Sequence, residues 1–320
     1  MLRKLRTILP LAAGLGAMAA LILCPEAAAE SARRGLRICG ELLVPSLLPF
    51  FVVSALLRAW GLPGVLGRLL GGTAARLWGI SGAGVSAFLL GITGGYPLGA
   101  ATVGQLRRDG TLSKEEARRA LRFCNNTGPA FLVGAAGSGI FHSSGAGLLL
   151  YGTHVLSAVL LGMAAAPKTP AEAPEERTYI AAAGFSEALT EAVKTAAETL
   201  LTVCGFVVLF SVLTGLLQNE ILRLAGALSA RTGMELTSAR ALLTGFLELG
   251  GGLGAMEGLS PSPENLALAA FVIGFGGLSV QAQSAAALRG TDLKPGASLF
   301  CKLAHGVLAA LLTLLACALM

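Results

Sequence analysis

A short polar stretch inside an apolar run constrains this chain more than any other feature. Residues 124–129 read Cys-Asn-Asn-Thr-Gly-Pro and place two amides and a hydroxyl in otherwise apolar sequence. Pro129 lacks an N–H and Gly128 permits non-helical backbone, so we expect a helix to unwind here. In lipid each unpaired backbone group costs several kcal/mol, so unwound backbone survives only where it is buried in protein or lines a cavity. The stretch therefore predicts a broken membrane helix at a binding site.

The composition is that of a membrane protein. The chain has 320 residues, of which 54% are hydrophobic and 13% are charged. Its net charge of +6 resides mainly in short connecting loops, where Lys and Arg set membrane topology, and we find no nucleic-acid-binding module. The six cysteines form no CxxC pair, and no catalytic motif occurs, so we expect no metal site, no organic cofactor and no enzymatic activity. The sequence predicts an all-α, polytopic membrane protein.

The apolar segments form an anchor followed by two halves. Residues 1–30 are expected to be an N-terminal transmembrane anchor, because the apolar run is long enough to span a bilayer. A signal peptide cleaved near Ala27-Ala28-Ala29 is the alternative. Residues 36–166 and 186–320 form the two halves, and residues 167–185 form a polar linker rich in Pro and Glu between them.

The second half repeats the pattern of the first. Shifting the chain by 165 residues aligns Cys39-Gly40 with Cys204-Gly205. Each half contains a span, an amphipathic helix, a re-entrant hairpin, a broken span and a last span. Because this gives an odd number of crossings, the second half must be inverted relative to the first. The hairpin tips are predicted at 93–97 and 248–252, and the breaks at 125–129 and 274–279.

The distribution of cations supports this topology. With the N-terminus in the cytoplasm, most of the 24 Lys and Arg fall on the cytoplasmic side, including those of the 105–122 loop, Arg289, Lys294 and Lys302. The positive-inside rule predicts that arrangement.

Inverted repeats with paired discontinuous helices are typical of secondary transporters. Helix N-termini that point into a cavity present free N–H groups, which suit an anionic substrate. The alternative for each amide is that it only satisfies exposed backbone groups. The candidate substrate-binding residues lie at the tips and breaks and are Thr93, Gly95, Tyr96, Asn125, Asn126, Thr127, Ser279 and Gln281.

Glu248 lies at the predicted tip of the second hairpin. A carboxylate near the bilayer centre costs about 2.5 to 3.5 kcal/mol, so its presence needs a reason. Coupling to H⁺ or Na⁺, or binding of a cationic or hydroxylated substrate, would supply one, and capping of the opposing half-helix is the alternative. His142 and His154 are interpreted as helix-end or core residues without a functional role.

Residues 94–100, 113–117, 123–129 and 276–281 together resemble the YlbJ-type sporulation integral membrane proteins, which carry paired nucleoside-recognition (Gate) domains. The resemblance covers nearly the whole chain. Gate domains resemble the repeats of concentrative nucleoside transporters and the pore region of ferrous-iron transporters. The resemblance therefore implies the same re-entrant hairpins.

The resemblance implies two substrate classes. The domain name points to nucleosides, whereas the link to sporulation points to dipicolinate, an aromatic dicarboxylate moved between mother cell and forespore. The first tip lacks the Glu of nucleoside carriers and has Thr93-Gly94-Gly95 instead, which favours the anion. We expect an elevator-like transporter of a small anionic aromatic metabolite, in the cell membrane or the outer forespore membrane.

A nucleoside carrier and a non-transporting membrane scaffold needed for spore formation are the alternatives. The expected partners are a small-molecule substrate and the lipid bilayer. Whether the chain also forms a homo-oligomer is a question that the sequence leaves open.

Overall fold

Every regular secondary-structure element in the part of the chain that the structure describes is a helix. This structure, a computed structural model, describes residues 2–166, 184–294 and 296–320. Most of the predicted linker, residues 167–183, lies outside the described residues. The α-helices are α1 (Leu2–Leu23), α2 (Pro25–Arg37), α3 (Val44–Ala59), α4 (Leu62–Trp78), α5 (Gly82–Gly94), α6 (Leu98–Arg108), α7 (Lys114–Ala120), α8 (Ser144–Ala164), α9 (Phe185–Leu216), α10 (Gln218–Thr232), α11 (Leu236–Leu247), α12 (Leu249–Gly254), α13 (Pro263–Phe275), α14 (Gly277–Ala287) and α15 (Gly296–Leu319). Two π-helical segments, π1 (Ile38–Leu43) and π2 (Ala130–Ile140), precede α3 and α8.

Four helical segments are long and apolar enough to cross a membrane: α8, α9, the combined α13 and α14, and Leu299–Leu319 of α15. Two further pairs meet the same criteria together but are sharply bent. The angle is 101° between α1 and α2 and 78° between α3 and α4. The chain is therefore a multi-pass membrane protein with up to six candidate spans among its described residues.

The helix interruptions of the first half lie within the predicted segments 93–97 and 125–129, although Thr93, Gly94 and Pro129 are helical. Helix α5 ends at Gly94 and α6 begins at Leu98, so residues 95–97 separate two half-helices. After α7 the backbone of residues 125–128 has no regular structure, and helical geometry resumes at Ala130. We call residues 95–97 and 125–128 the first-half breaks.

The interruptions of the second half are shorter than the sequence predicts. Only Glu248 separates α11 from α12, so Leu249 to Gly252 of the predicted tip are helical. Only Gly276 separates α13 from α14. It adopts a left-handed conformation with φ of +79°, which glycine reaches without steric cost. A single residue therefore interrupts each helix, and we call Glu248 and Gly276 the second-half breaks.

Small residues allow the helices to approach closely, as is usual in membrane bundles. Helix α13 packs on α15, α15 on α8, and both α2 and α3 on α9. Where α13 crosses α15, a Cβ atom added to Gly274 would lie only 2.7 Å from the Cα of Gly306. Glycines at such crossings bring the backbones together around the breaks.

Two residues that the predicted repeat superposes, Cys39 and Cys204, contact each other. The Sγ of Cys39 lies 3.7 Å from the carbonyl oxygen of Cys204. In the last helices of the two halves, the hydroxyls of Thr153 and Thr313 are 2.9 Å apart. Such contacts are expected near a pseudo-two-fold axis. The inverted relation of the halves stays a prediction.

Candidate functional site

Three cavities follow one another along α9. The central cavity has a volume of 70 Å³ and shares Val203 and Gln283 with a neighbouring cavity of 410 Å³. On its other side it shares Ile38, Glu248 and Gly250 with a cavity of 460 Å³. We call the two larger spaces the Arg108 cavity and the Arg240 cavity.

The two larger cavities lie towards opposite ends of the bundle. The Arg108 cavity contacts α9 at Thr199, and the Arg240 cavity contacts the same helix at Thr214. At 1.5 Å per residue these positions are about 22 Å apart along the helix axis, a large part of the hydrocarbon thickness of a bilayer. The central cavity therefore lies between two larger spaces that approach it from opposite sides.

Arginines line both of the larger cavities. The Arg108 cavity carries Arg58, Arg108 and Arg289 against the single carboxylate of Glu198. The Arg240 cavity carries Arg240 and Arg34, the latter 3.3 Å from the carboxylate of Glu30, against Glu248. Positive lining raises the local concentration of anions in a cleft.

Arg108 is held in place by neutral partners. Its guanidinium donates to the carbonyl oxygens of Ala287 and Arg289 and to the side chain of Gln105. These bonds orient the group without cancelling its charge, so the Arg108 cavity keeps a net positive lining.

The first-half breaks line the central cavity. Thr93, Gly95, Tyr96 and Thr127 of the predicted substrate-binding set all contribute to its wall. Tyr96 is buried, and its hydroxyl donates to the carbonyl oxygens of Ile273 and Gly274 just before the break at Gly276. The structure thus brings these four predicted residues together at one small cavity.

The other four predicted residues line none of the three cavities. Asn125 accepts from the N–H of Ala100 and donates to the hydroxyl of Ser284. Asn126 donates to the carbonyl of Phe123, while its buried Oδ1 has no hydrogen-bond partner.

Ser279 and Gln281 are also engaged with protein groups. The hydroxyl of Ser279 accepts from Gln283, and Gln281 donates to the carbonyl oxygen of Phe275. These two side chains and the two asparagines therefore hold the breaks in this conformation, and their contact with substrate stays a prediction.

Glu248 lies in the wall between the central cavity and the Arg240 cavity. Its carboxylate accepts from the N–H of Gly250 at 2.9 Å and from the N–H of Gly251. The side chain therefore caps α12, its own following helix. Glu248 is thus a helix cap, but of its own helix and not of the opposing half-helix as the alternative has it, and the role in ion coupling stays a prediction.

Lys302 corrects the sequence interpretation. The charge distribution places it on the cytoplasmic side, but it lies inside α15 with 0% of its surface exposed. Its Nζ donates to the carbonyl oxygen of Asn125 and lies 3.4 Å from Nδ1 of His305. The cation is therefore bound to the unwound backbone of the first-half breaks.

His154 and His305 stack beside Lys302 with ring centroids 4.4 Å apart. Nε2 of His154 accepts from the N–H of Thr127 at 3.0 Å. His154 is therefore a core residue, as the sequence predicts, and it also supports a residue of the central cavity.

Sequence reasoning missed Lys302 and His305, although a signal was present. Lys302 interrupts an apolar run that extends to Leu319, and His305 follows three residues later on the same helix face. An ionisable residue within a membrane span marks a functional site by default.

A salt bridge joins the two halves at a loop. Arg107 donates to Asp292 at 2.9 Å, and Lys114 lies 3.3 Å from the same carboxylate. The hydrogen bond from Arg107 and the nearby charge of Lys114 lower the pKa of Asp292 to about 2. This carboxylate therefore stays ionised at neutral pH.

Comparison with known proteins extends over both halves of the chain. A family model described as nucleoside recognition (Gate) matches residues 42–166. The chain is 30% identical over 343 aligned positions to the sporulation integral membrane protein YlbJ of Bacillus subtilis (strain 168). That alignment covers 98% of this chain and 83% of the relative. No solved structure matches the chain.

Proposed function

The chain belongs to the YlbJ family of sporulation integral membrane proteins, and we propose that it is a secondary transporter of a small anionic aromatic metabolite. One observation carries the proposal: the central cavity lies between two larger cavities that approach it from opposite ends of the bundle. A site reached alternately from two sides is the minimum that secondary transport requires.

The lining supports an anionic aromatic substrate. Arginines in both larger cavities would attract an anion, whichever side it enters from. The central cavity adds the aromatic rings of Phe50, Tyr96 and Phe131, against which a flat ring can pack. Dipicolinate, which has one aromatic ring and two carboxylates, is the substrate that we propose.

Transport requires the central cavity to widen. Its 70 Å³ is well below the roughly 300 Å³ at which small-molecule sites begin. We propose an elevator-like movement in which the segments that carry the breaks shift against α9, with the two halves related as inverted repeats. With the N-terminus in the cytoplasm, the Arg108 cavity faces the cytoplasm, and the proposed location is the cell membrane or the outer forespore membrane.

A nucleoside carrier is the second candidate. The observation that favours it is the match of residues 42–166 to the nucleoside-recognition family model. A nucleoside is uncharged at neutral pH and gains little from the arginines. A membrane scaffold without transport is the third candidate, and it predicts no flux of either compound.

Uptake into proteoliposomes tests the proposal. Purified protein is reconstituted, and labelled dipicolinate and labelled uridine are offered under proton and Na⁺ gradients. Saturable dipicolinate flux supports the proposal, and saturable uridine flux alone supports the nucleoside carrier. If correctly inserted protein moves neither compound under any gradient, the scaffold candidate replaces the transporter.

A variant that blocks the passage between the central cavity and the Arg108 cavity sharpens this test. Val203 is 3% exposed and lines both the central and the Arg108 cavity, so Val203→Phe should reduce flux at least about tenfold by filling the passage. Leu201 lies on the same helix and is 75% exposed, so Leu201→Phe is the matched control. Equal flux in the two variants would contradict the proposal that substrate passes Val203.

A further inference from the structure

Lys302 connects α15 to both first-half breaks. Its Nζ donates to the carbonyl oxygen of Asn125 in residues 125–128, and it lies 5.2 Å from the ring centroid of Tyr96 in residues 95–97. That distance is within the range of a cation–π interaction. The ammonium therefore sits directly behind the wall of the central cavity.

The charge of Lys302 has no carboxylate partner within salt-bridge distance among the described residues. Removal of an ammonium from water is unfavourable unless hydrogen bonds or a counter-charge replace its hydration. Among the described residues, the backbone carbonyl of Asn125, the ring nitrogen of His305 and the ring of Tyr96 do so. The titratable groups around Lys302 are Tyr96, Cys124, His154, Cys301 and His305.

The hydrogen bonds assign the tautomers of the two histidines. Nε2 of His305 lies 3.0 Å from the carbonyl oxygen of His154. A carbonyl only accepts, so this nitrogen carries the proton and Nδ1 is left to accept from Lys302. Nε2 of His154 accepts from Thr127, so its proton lies on Nδ1, which is buried without a partner. Lys302 thus donates to the lone pair of His305 Nδ1 and shares a pocket with two neutral rings.

We propose that Lys302 is the proton-binding residue that couples substrate movement to a proton gradient, and that its ammonium occupies the place of a coupling Na⁺ at the Asn125 carbonyl. This inference rests on the proposed transport function. In broken-helix transporters, the carbonyl groups of unwound backbone coordinate the coupling ion. Here a side-chain cation already fills that position.

The coupling step needs only one proton per cycle. Protonated Lys302 holds residues 125–128 through the Asn125 carbonyl. When Lys302 gives its proton to water that enters the widened central cavity, the neutral amine loses its charge-assisted bond, and the break is released. Rebinding of one proton from the other side restores the bond. Na⁺ takes no part in this cycle.

Proteoliposomes with a pH gradient test the coupling. A gradient of one pH unit can support about a tenfold concentration ratio per coupled proton. We expect wild-type protein to accumulate labelled dipicolinate under this gradient and to ignore a Na⁺ gradient. In Lys302→Gln the ratio of gradient-driven accumulation to substrate exchange, both measured on one preparation, should fall about tenfold.

Lys302→Arg separates coupling from structure. A guanidinium keeps the charge and the hydrogen bond to Asn125 but does not release its proton at accessible pH. We expect this variant to fold and insert, and to show no accumulation driven by the pH gradient. Proton-driven accumulation at the wild-type ratio in either variant would overturn the proposal, and so would accumulation driven by Na⁺ in the wild type.

A second measurement needs no substrate. Cys124 is buried beside Asn125, so its alkylation by a membrane-permeant maleimide reports release of the break. The other five cysteines are replaced by Ser. Each alkylation rate is divided by the rate of the denatured protein at the same pH, which corrects for the pH dependence of thiol ionisation itself. We expect the corrected rate to rise with pH in the wild type, to stay low in Lys302→Arg and to be high throughout in Lys302→Gln.

The transport assay and the alkylation assay distinguish failure of the proposed function from failure of the role proposed for Lys302. If neither dipicolinate nor uridine is transported, the proposed function fails, and the alkylation profile alone decides whether Lys302 binds and releases a proton. Identical corrected pH profiles in the wild type and both variants would show that Lys302 has only a structural role and does not release its proton.

Discussion

The two halves of the protein satisfy their broken helices in different ways. In the first half, His154 of α8 accepts from the N–H of Thr127, and Lys302 of α15 donates to the carbonyl of Asn125. In the second half, Glu248 caps α12 with its own side chain. The first-half breaks therefore depend on distant helices, whereas the break at Glu248 is stabilised locally.

This difference indicates where the protein can change shape. A local cap moves with its own helix and survives a rearrangement of the bundle. A backbone carbonyl bound by a side chain of α15 loses its partner when α15 shifts against it. The first-half breaks are thus the ones whose structure is coupled to the packing of the two halves.

The largest effect is expected where the first-half breaks are packed most tightly. A Cβ atom at Gly99 would overlap the carbonyl oxygen of Cys124. Gly99→Ala should therefore lower the free energy of unfolding by about 3 kcal/mol, the upper part of the usual range for overpacking. Thermal unfolding in detergent measures the change.

Gly152→Ala is the matched control, because Gly152 lies in α8 with no heavy atom within 4 Å of an added Cβ. It should be neutral or stabilising by up to about 1 kcal/mol through helix propensity. Equal melting temperatures for the two variants would show that the first-half break tolerates displacement.

Loss of a group supplied by a distant helix should have the next largest effect. His154→Leu leaves the buried N–H of Thr127 without an acceptor, which should cost about 2 kcal/mol. His154→Gln offers an amide oxygen to the same N–H and should recover part of that loss. Stabilities that rank in the opposite order would contradict the role given to His154.

Removal of the local cap should cost less. Glu248→Ala removes the acceptor for the N–H groups of Gly250 and Gly251, and loss of such a cap costs about 1 kcal/mol. Glu248→Gln retains one acceptor oxygen and should lie between Glu248→Ala and the wild type. Hydrogen exchange should show the change in α12 while residues 125–128 stay protected. A loss of protection at residues 125–128 would show that the two regions are not independent.

The smallest effect is expected at the exposed tie between the halves, Arg107–Asp292. The lowered pKa of Asp292 means that its contribution to stability is fully present above the unfolded value of 3.8 and is lost as the pH falls through about 2. The difference in melting temperature between wild type and Asp292→Asn should therefore stay constant from about pH 5 to 8. It should shrink with added salt, because exposed ion pairs are screened. If the difference in melting temperature varied strongly in this pH range, a titratable group other than Asp292 would be responsible for it.

Much of the architecture could be predicted from local sequence chemistry. The Gly-Pro pair at 128–129 and the Gly-Gly-Tyr-Pro string at 94–97 located both first-half breaks. The extent of the second-half breaks was overestimated. Glycine-rich sequence at 250–252 reads as a turn by propensity, but a buried carboxylate at its start makes it helical.

The candidate site was predicted only in part. Thr93, Gly95, Tyr96 and Thr127 line the central cavity, and they were accessible to sequence reasoning because turn residues in an apolar run are conspicuous. The wall contributed by Val203 was not predicted. Val203 does not differ from its neighbours in any local pattern, so only the packing of α9 shows that it faces the central cavity.

The sequence by itself determined the membrane character and the positions of the first-half breaks. Hydropathy and the backbone preferences of glycine and proline act over a few residues, so they can be read along the chain. Only the tertiary structure decided which groups satisfy the broken backbone and where the cavities lie. Lys302 and Asn125 are 177 residues apart in sequence, and no local rule predicts that one binds the other.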